Sequence, residues 1–154
     1  MKFMKKIVSA MVICGLVVFN IPFSTIPASA DILYTLNDGV LTIKSQGVVE
    51  KYSDGTKLPW HDKSDQITSI VLQSGVTKIG DSLFSNLPAL ETVDFPDTLI
   101  SIGTNSFREC SSLKSIELPS SLDSIGIGAF GNCTQLQSAK LSDGLESIGS
   151  WAFS

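Results

Sequence analysis

The 154-residue chain is 43% hydrophobic, has a mean hydropathy of +0.26 and carries a formal charge of −4. These averages combine two unlike segments, because residues 1–30 contain no Asp or Glu, whereas residues 31–154 carry a net charge of −7. An acidic body excludes binding to nucleic acid through its phosphates, since that affinity comes mainly from Lys and Arg. The same body is too rich in apolar residues to be intrinsically disordered.

The first thirty residues have the three-part layout of a secretory signal peptide. Three lysines precede an apolar core, Ile7 to Phe19, and the small residues Ala28-Ser29-Ala30 follow it. This core is shorter than the roughly 20 residues that cross a bilayer, which disfavours a retained anchor. We therefore predict cleavage after Ala30, a secreted or cell-surface location, and no membrane span in the mature protein.

The body of the chain repeats with a period of 23 residues. Segments 68–90, 91–113 and 114–136 are complete, and 137–154 is a shortened fourth. The aligned positions are Ile70/Val93/Ile116/Ala139, Leu72/Phe95/Leu118/Leu141, Val76/Leu99/Leu122/Leu145, Ile79/Ile102/Ile125/Ile148, Gly80/Gly103/Gly126/Gly149, Phe84/Phe107/Phe130/Phe153, Leu87/Cys110/Cys133 and Leu90/Leu113/Leu136. Repeats of this length indicate a solenoid, in which stacking supplies the core that one repeat cannot form alone.

Each repeat carries its own local signals. Alternating polar and apolar residues over Lys114–Leu118 predict a short strand with one buried face, and Pro119 ends it. Gly126 is expected to permit a backbone turn. The spacing of Ala129-Phe130 and Cys133 indicates a short helical turn.

These repeats resemble a known family. The segments Ile116–Pro119, Leu122–Gly126 and Ala129–Cys133 resemble the BspA-type leucine-rich repeat of bacterial surface proteins, over residues 67–154. Residues 31–66 are similar to the segment that often precedes such repeats, through Gly39–Ile43, Tyr52 and Pro59-Trp60. The resemblance implies a strand-rich α/β fold class, a leucine-rich-repeat solenoid. It also implies a secreted or wall-attached protein that binds host proteins, matrix proteins or other cells without catalysis.

The predicted organisation has three parts: a signal peptide over residues 1–30, an N-terminal capping region over 31–66, and repeats over 67–154. Asn37-Asp38-Gly39 is a strong turn signal and predicts a β-hairpin from Leu33 to Ile43 that caps the first coil, with Trp60 covering exposed core. The fourth repeat stops before the equivalent of Cys133, so we expect a truncated product, a fragment of a longer protein, or self-association through an uncapped end.

Two motifs that suggest a cofactor or a metal have simpler interpretations. Gly126–Gly131 matches G-x-G-x-x-G, but the neighbouring repeats keep only the first glycine, so no dinucleotide cofactor is predicted. His61 is the only histidine and has no second His or available Cys nearby, which predicts a surface loop and no metal site. We predict no catalytic residues, no cofactor and no enzymatic activity.

Cys110 and Cys133 occupy one column, so neighbouring coils should place them about 4.8 Å apart. A disulfide tolerates that separation, and export permits oxidation. Parallel neighbours nevertheless aim their side chains in the same direction, which suits the disulfide torsion poorly. Free thiols acting as small core residues are therefore the favoured prediction over a disulfide.

The columns between the buried ones supply the candidate binding residues. One outward column is uniformly small, Ser69, Thr92, Ser115 and Ser138. The other varies in size and charge, and it gives the ligand-binding candidates Val71, Asp94, Glu117 and Lys140. The alternative is a solvated face without a ligand. The predicted function is non-covalent protein recognition or adhesion, and the rivals are a structural spacer and an accessory domain of a larger exported protein or enzyme.

Overall fold

A computed structural model describes residues 33–50 and 57–154, which fall within one compact unit, residues 31–154. The predicted signal peptide and its cleavage after Ala30 lie outside the described residues and stay predictions. The part of the chain that is described contains no helix that is both long and apolar enough to cross a membrane.

Short strands dominate the described residues. They are β1 (Leu33–Asn37), β2 (Val40–Lys44), β3 (Gly47–Val49), β4 (Ser69–Leu72), β5 (Val76–Ile79), β6 (Thr92–Asp94), β7 (Ser101–Ile102), β8 (Ser115–Glu117), β9 (Ser124–Ile125), β10 (Ser138–Lys140) and β11 (Ser147–Ile148). One 3-10 helix spans His61–Lys63. Each repeat therefore has two strands, whereas the sequence predicted only the first.

The strands stack in register from coil to coil. The first strands of the coils form what we call the first sheet, in the order β1-β2-β4-β6 followed by the separate pair β8-β10. The second strands form a continuous parallel sheet, β3-β5-β7-β9-β11, which we call the second sheet. Ile102 pairs with Ile79 on one side and Ile125 on the other, so each residue meets its equivalent 23 positions away. The predicted leucine-rich-repeat solenoid is confirmed.

The N-terminal hairpin belongs to the solenoid. β1 and β2 are antiparallel around Asp38 and Gly39, whose φ angles of 49° and 81° suit the predicted tight turn. β2 then pairs in parallel with β4, and β3 with β5. The capping hairpin is confirmed, and it begins a further coil that the period missed, because Leu41 pairs with Ile70, 29 residues away.

Aromatic rings form a continuous column through the core. Trp60, Phe84, Phe107, Phe130 and Phe153 follow one another at centroid separations of 5.8, 5.4, 5.2 and 5.4 Å. Trp60 is only 2% exposed and also meets Tyr34 edge-on at 5.6 Å. Each offset-stacked pair contributes about 0.5–1.5 kcal/mol beyond simple burial. Trp60 covers the first coil as predicted, by taking the phenylalanine position.

The third side of each coil is a series of turns, where a short helical turn was expected. The amides of Phe84, Phe107 and Phe130 donate to carbonyls of the next coil, at distances of 2.8, 2.7 and 2.8 Å. A helix needs those amides for its own carbonyls four residues back, so the two arrangements exclude one another. The equivalent residues Ser82, Asn105, Gly128 and Trp151 all adopt positive φ, which reverses the chain locally.

Gly126 differs from its predicted role as a turn residue. A Cβ on this residue would lie 2.5 Å from the carbonyl carbon of Gly103 and from the amide nitrogen of Thr104 in the preceding coil. The glycine is therefore required by the close approach of two backbones, and its φ lies outside the left-handed region.

Candidate functional site

The outward-facing side chains of β4, β6, β8 and β10 form a surface that we call the sheet face. Val71 lies opposite Asp94 in the β4–β6 ladder, and Lys140 lies opposite Glu117 in the β8–β10 ladder. The four sequence-predicted residues thus follow one another in a single column. Thr42 of β2 pairs with Val71 and extends this column, and the sequence missed it because its coil is out of the 23-residue period.

Two adjoining grooves run across the sheet face. The larger has a volume of about 690 Å³, and its lining includes Asp94, Glu117 and Lys140. The other has a volume of about 660 Å³ and is lined by Val71 together with Asp94. The structure therefore brings three of the four candidates into one groove and the fourth into its neighbour.

The larger groove crosses a break in the first sheet. Among the described strands, no ladder joins β6 to β8, whereas β4–β6 and β8–β10 are paired. The second sheet is continuous at the same step, through β7 and β9. Phe95 replaces the leucine of this column and packs edge-on against Phe107, with a centroid separation of 5.8 Å and an interplanar angle of 84°.

The charge of the larger groove is predominantly negative. Lys140 donates a hydrogen bond to the Glu117 carboxylate, and this bond raises the pKa of the lysine. Three further carboxylates, those of Asp94, Asp97 and Asp143, line the groove and are exposed to solvent. In the described part of the chain these three side chains take part in no ion pair. Four carboxylates thus face one ammonium group.

The outward column of small residues, Ser69, Thr92, Ser115 and Ser138, and the charged residues beside it make bonds between coils. The Thr92 hydroxyl donates to the Ser69 hydroxyl at 3.0 Å, and Lys114 pairs with Glu91 at 3.0 Å. Both contacts join residues 23 positions apart. They tie neighbouring strands together at exposed positions, where each pair is worth about 0–1 kcal/mol.

Cys110 and Cys133 are buried free thiols, as favoured by the sequence. Each donates to the carbonyl of a phenylalanine in the preceding coil: Cys110 Sγ to Phe84 at 3.3 Å, and Cys133 Sγ to Phe107 at 3.2 Å. Burial raises the pKa of Cys110 to about 12 and that of Cys133 to about 11, because the thiolate would lose its hydration. These groups are therefore core residues without the properties of a nucleophile.

His61 lies on the surface, in the 3-10 helix, with its Nδ1 3.3 Å from a carboxylate oxygen of Asp62. Within residues 33–50 and 57–154, no group of three His, Cys, Asp or Glu is placed to hold a metal. In the glycine-rich motif, Gly128 has a φ of 59°, and a Cβ there would lie 2.5 Å from Oδ1 of Asn105. The motif thus fits the coil stacking without reference to a nucleotide.

The last described coil leaves apolar side chains uncovered. Leu141, Ile148 and Phe153 are 43%, 48% and 39% exposed, whereas their equivalents in the preceding coil are buried. A groove of about 310 Å³ has Phe130, Leu136 and Phe153 in its lining.

A solenoid of 23-residue coils, whose strands pair in parallel from coil to coil on two sides and carry a variable outer column, defines a leucine-rich-repeat protein. The model of the BspA type leucine rich repeat region (6 copies) matches residues 61–154. The chain belongs to this family. No curated protein matches the sequence significantly.

Solved bacterial leucine-rich-repeat structures have a similar fold. The protein from T. pallidum, TpLRR, is 28% identical with a TM-score of 0.59, and the match covers 79% of this chain and 63% of that one. A protein from Eubacterium ventriosum is 24% identical with a TM-score of 0.55, over 78% of this chain and 42% of that one. The pneumococcal vaccine antigen PcpA is 22% identical with a TM-score of 0.50, over 79% and 40%. The chain thus spans less than two thirds of the length of each of these proteins.

Proposed function

We propose that this protein is secreted or displayed at the cell surface, where it recognises another protein non-covalently through the sheet face. The proposal rests on the contrast between the inward column of the first sheet, which stays apolar, and the outward column, which varies. The inward residues of β4, β6 and β8 are buried or half-buried and apolar, whereas the outward column Val71, Asp94, Glu117 and Lys140 changes in size and sign of charge. Changes at outward positions leave the stacking intact, so a solenoid can adapt this surface to a partner.

Two further facts support an exported location. The sequence predicts a signal peptide over residues 1–30, and the similar structure PcpA is named as a vaccine antigen. The proposed ligand is a host or matrix protein or the surface of another cell. We propose no catalytic role, since the grooves contain carboxylates, hydroxyls and one lysine in exposed positions, and the buried thiols are held protonated.

The test is binding of residues 31–154 to immobilised extracellular matrix proteins, measured by biolayer interferometry. Asp94→Lys combined with Glu117→Lys should weaken binding at least about tenfold, because charge reversal at a contact introduces repulsion. The matched control is Asp123→Lys with Glu146→Lys, two exposed acidic residues that lie just before β9 and β11. Equal binding by the sheet-face variant and the unmodified protein would contradict the proposed face.

The rival function is that of a structural spacer or an accessory domain, in which the solenoid carries another domain and binds nothing. Absence of binding to every matrix protein, together with activity of a longer gene product, would support it.

A further inference from the structure

We propose that the larger groove of the sheet face takes a positively charged, Lys- or Arg-containing segment of the partner protein. This inference rests on the proposed function and adds the chemical class of the ligand. The groove lies where the first sheet is divided between β6 and β8. Its lining residues come from four successive coils, at Ser69 and within 92–97, 117–120 and 140–143.

The charges of the groove come from two neighbouring columns. Asp94, Glu117 and Lys140 belong to the first, and Asp97 and Asp143 lie two coils apart in the second, with Ser120 between them. Since coils are about 4.8 Å apart, the last two carboxylates are separated by roughly 10 Å along the solenoid. Such carboxylates can each meet a different cationic side chain of one extended segment.

The internal pairing of the groove leaves a net negative charge. Lys140 is engaged by Glu117, so Asp94, Asp97 and Asp143 are left to attract a partner. These carboxylates give the groove a net negative charge, which attracts a cationic side chain at short range. Charged groups bordering a groove also steer an oppositely charged ligand toward it, and added salt weakens this steering.

The groove also offers some apolar surface to a long cationic side chain. Among its apolar lining residues Leu141 is 43% exposed, whereas Phe95 and Leu118 are buried in the core. Lys and Arg bury their methylene stems on apolar surface while their charged ends reach polar partners. The exposed Leu141 beside the carboxylates therefore favours Lys and Arg over small cations, which have no stem to bury.

The test uses residues 31–154, the compact unit, and fluorescein-labelled octalysine as the probe, with octaglutamate and a Gly-Ser octapeptide as reference probes. The groove variant is Asp94→Asn with Asp97→Asn and Asp143→Asn. The matched control is Asp65→Asn with Asp123→Asn and Glu146→Gln, exposed residues outside the groove whose replacement changes the net charge by the same amount. Fluorescence anisotropy gives the affinity, and amide hydrogen exchange gives the protection of residues 92–94 and 115–117.

Octalysine should bind and the two reference peptides should not. The groove variant should lose about tenfold or more in affinity, and the control variant no more than about twofold, since three charge contacts are lost in one and none in the other. Exchange at residues 92–94 and 115–117 should slow when octalysine is bound. The proposal is overturned if both variants lose affinity equally, because the peptide then senses only the net charge.

The outcomes also separate this inference from the function on which it rests. If octalysine fails to bind, but matrix binding is still abolished by Asp94→Lys with Glu117→Lys, the sheet face is a recognition surface for a ligand of another class. If neither octalysine nor any matrix protein binds, both proposals are wrong.

Discussion

The aromatic column predicts a strong dependence of stability on position within the solenoid. Phe107 is fully buried and meets three rings, those of Phe84, Phe95 and Phe130. Phe153 occupies the equivalent place in the last described coil, where it is 39% exposed and meets Phe130 alone. Replacement of each by leucine therefore makes the same chemical change in two different surroundings.

Phe107→Leu should lower the free energy of unfolding by about 2–4 kcal/mol. Three aromatic pairs, each worth about 0.5–1.5 kcal/mol, are lost, and a small cavity is left in a core where full truncation of Phe costs about 3–5 kcal/mol. Phe153→Leu should cost only about 0.5–1 kcal/mol, because one pair is lost at a position that solvent already reaches.

Urea unfolding of residues 31–154 measures both values. In a Trp151→Phe background, which removes the exposed second tryptophan, the fluorescence of buried Trp60 reports the first coil, and circular dichroism reports the whole array. A loss of about 2–4 kcal/mol is a large part of the 5–15 kcal/mol that stabilises a typical domain, so the difference is measurable. Equal losses in the two variants would refute the reasoning, since they would mean that the rings do not form an energetically connected column.

Three other properties can be predicted. Gly126→Ala should lower the free energy of unfolding in urea by about 1–3 kcal/mol, because the new Cβ would lie 2.5 Å from backbone atoms of the preceding coil. Gly144→Ala should lower it by less, because the new Cβ would lie 3.1 Å from the nearest backbone oxygen, that of Ser120. Cys110 and Cys133 should resist a thiol reagent at pH 8 until urea is added, when two thiols react; absence of reaction in urea would indicate a disulfide. Their raised pKa values also make stability fall as pH rises from about 9 to 12, because thiols ionise first in the unfolded chain, and this fall should diminish when both are replaced by alanine.

The 23-residue repeat could be predicted because the residues that stack in the core recur at that spacing in the sequence. The column Ile79, Ile102 and Ile125 has one period in the sequence and one register in the second sheet. The turn at Asp38 and Gly39 was equally accessible, since few residue pairs adopt positive φ together. In both cases a local sequence preference and the tertiary structure demand the same residue.

Three other features could not be predicted from the 23-residue period: the first coil, the turns on the third side of each coil and the break in the first sheet. The first coil was missed because Val49 pairs with Ile79 at a spacing of 30 residues, and Trp60 stands in place of a phenylalanine. A helical turn was expected from apolar spacing alone, although the amides there bond to the next coil. The break between β6 and β8 could not be predicted, because the equivalent positions continue the 23-residue period across it without interruption.

The column that runs from Thr42 through Val71 and Asp94 to Lys140 presents one side chain per coil. Where its strands are paired these positions are about 4.8 Å apart, whereas side chains on one side of an extended peptide are about 6.6 Å apart. A peptide that lies along the solenoid therefore falls out of step with the column, and it returns near register only after about four coils, ~19 Å, which match three of its own repeats. An extended peptide that contacts every coil must instead cross the column at an angle, so that each residue of the column meets a different part of the peptide.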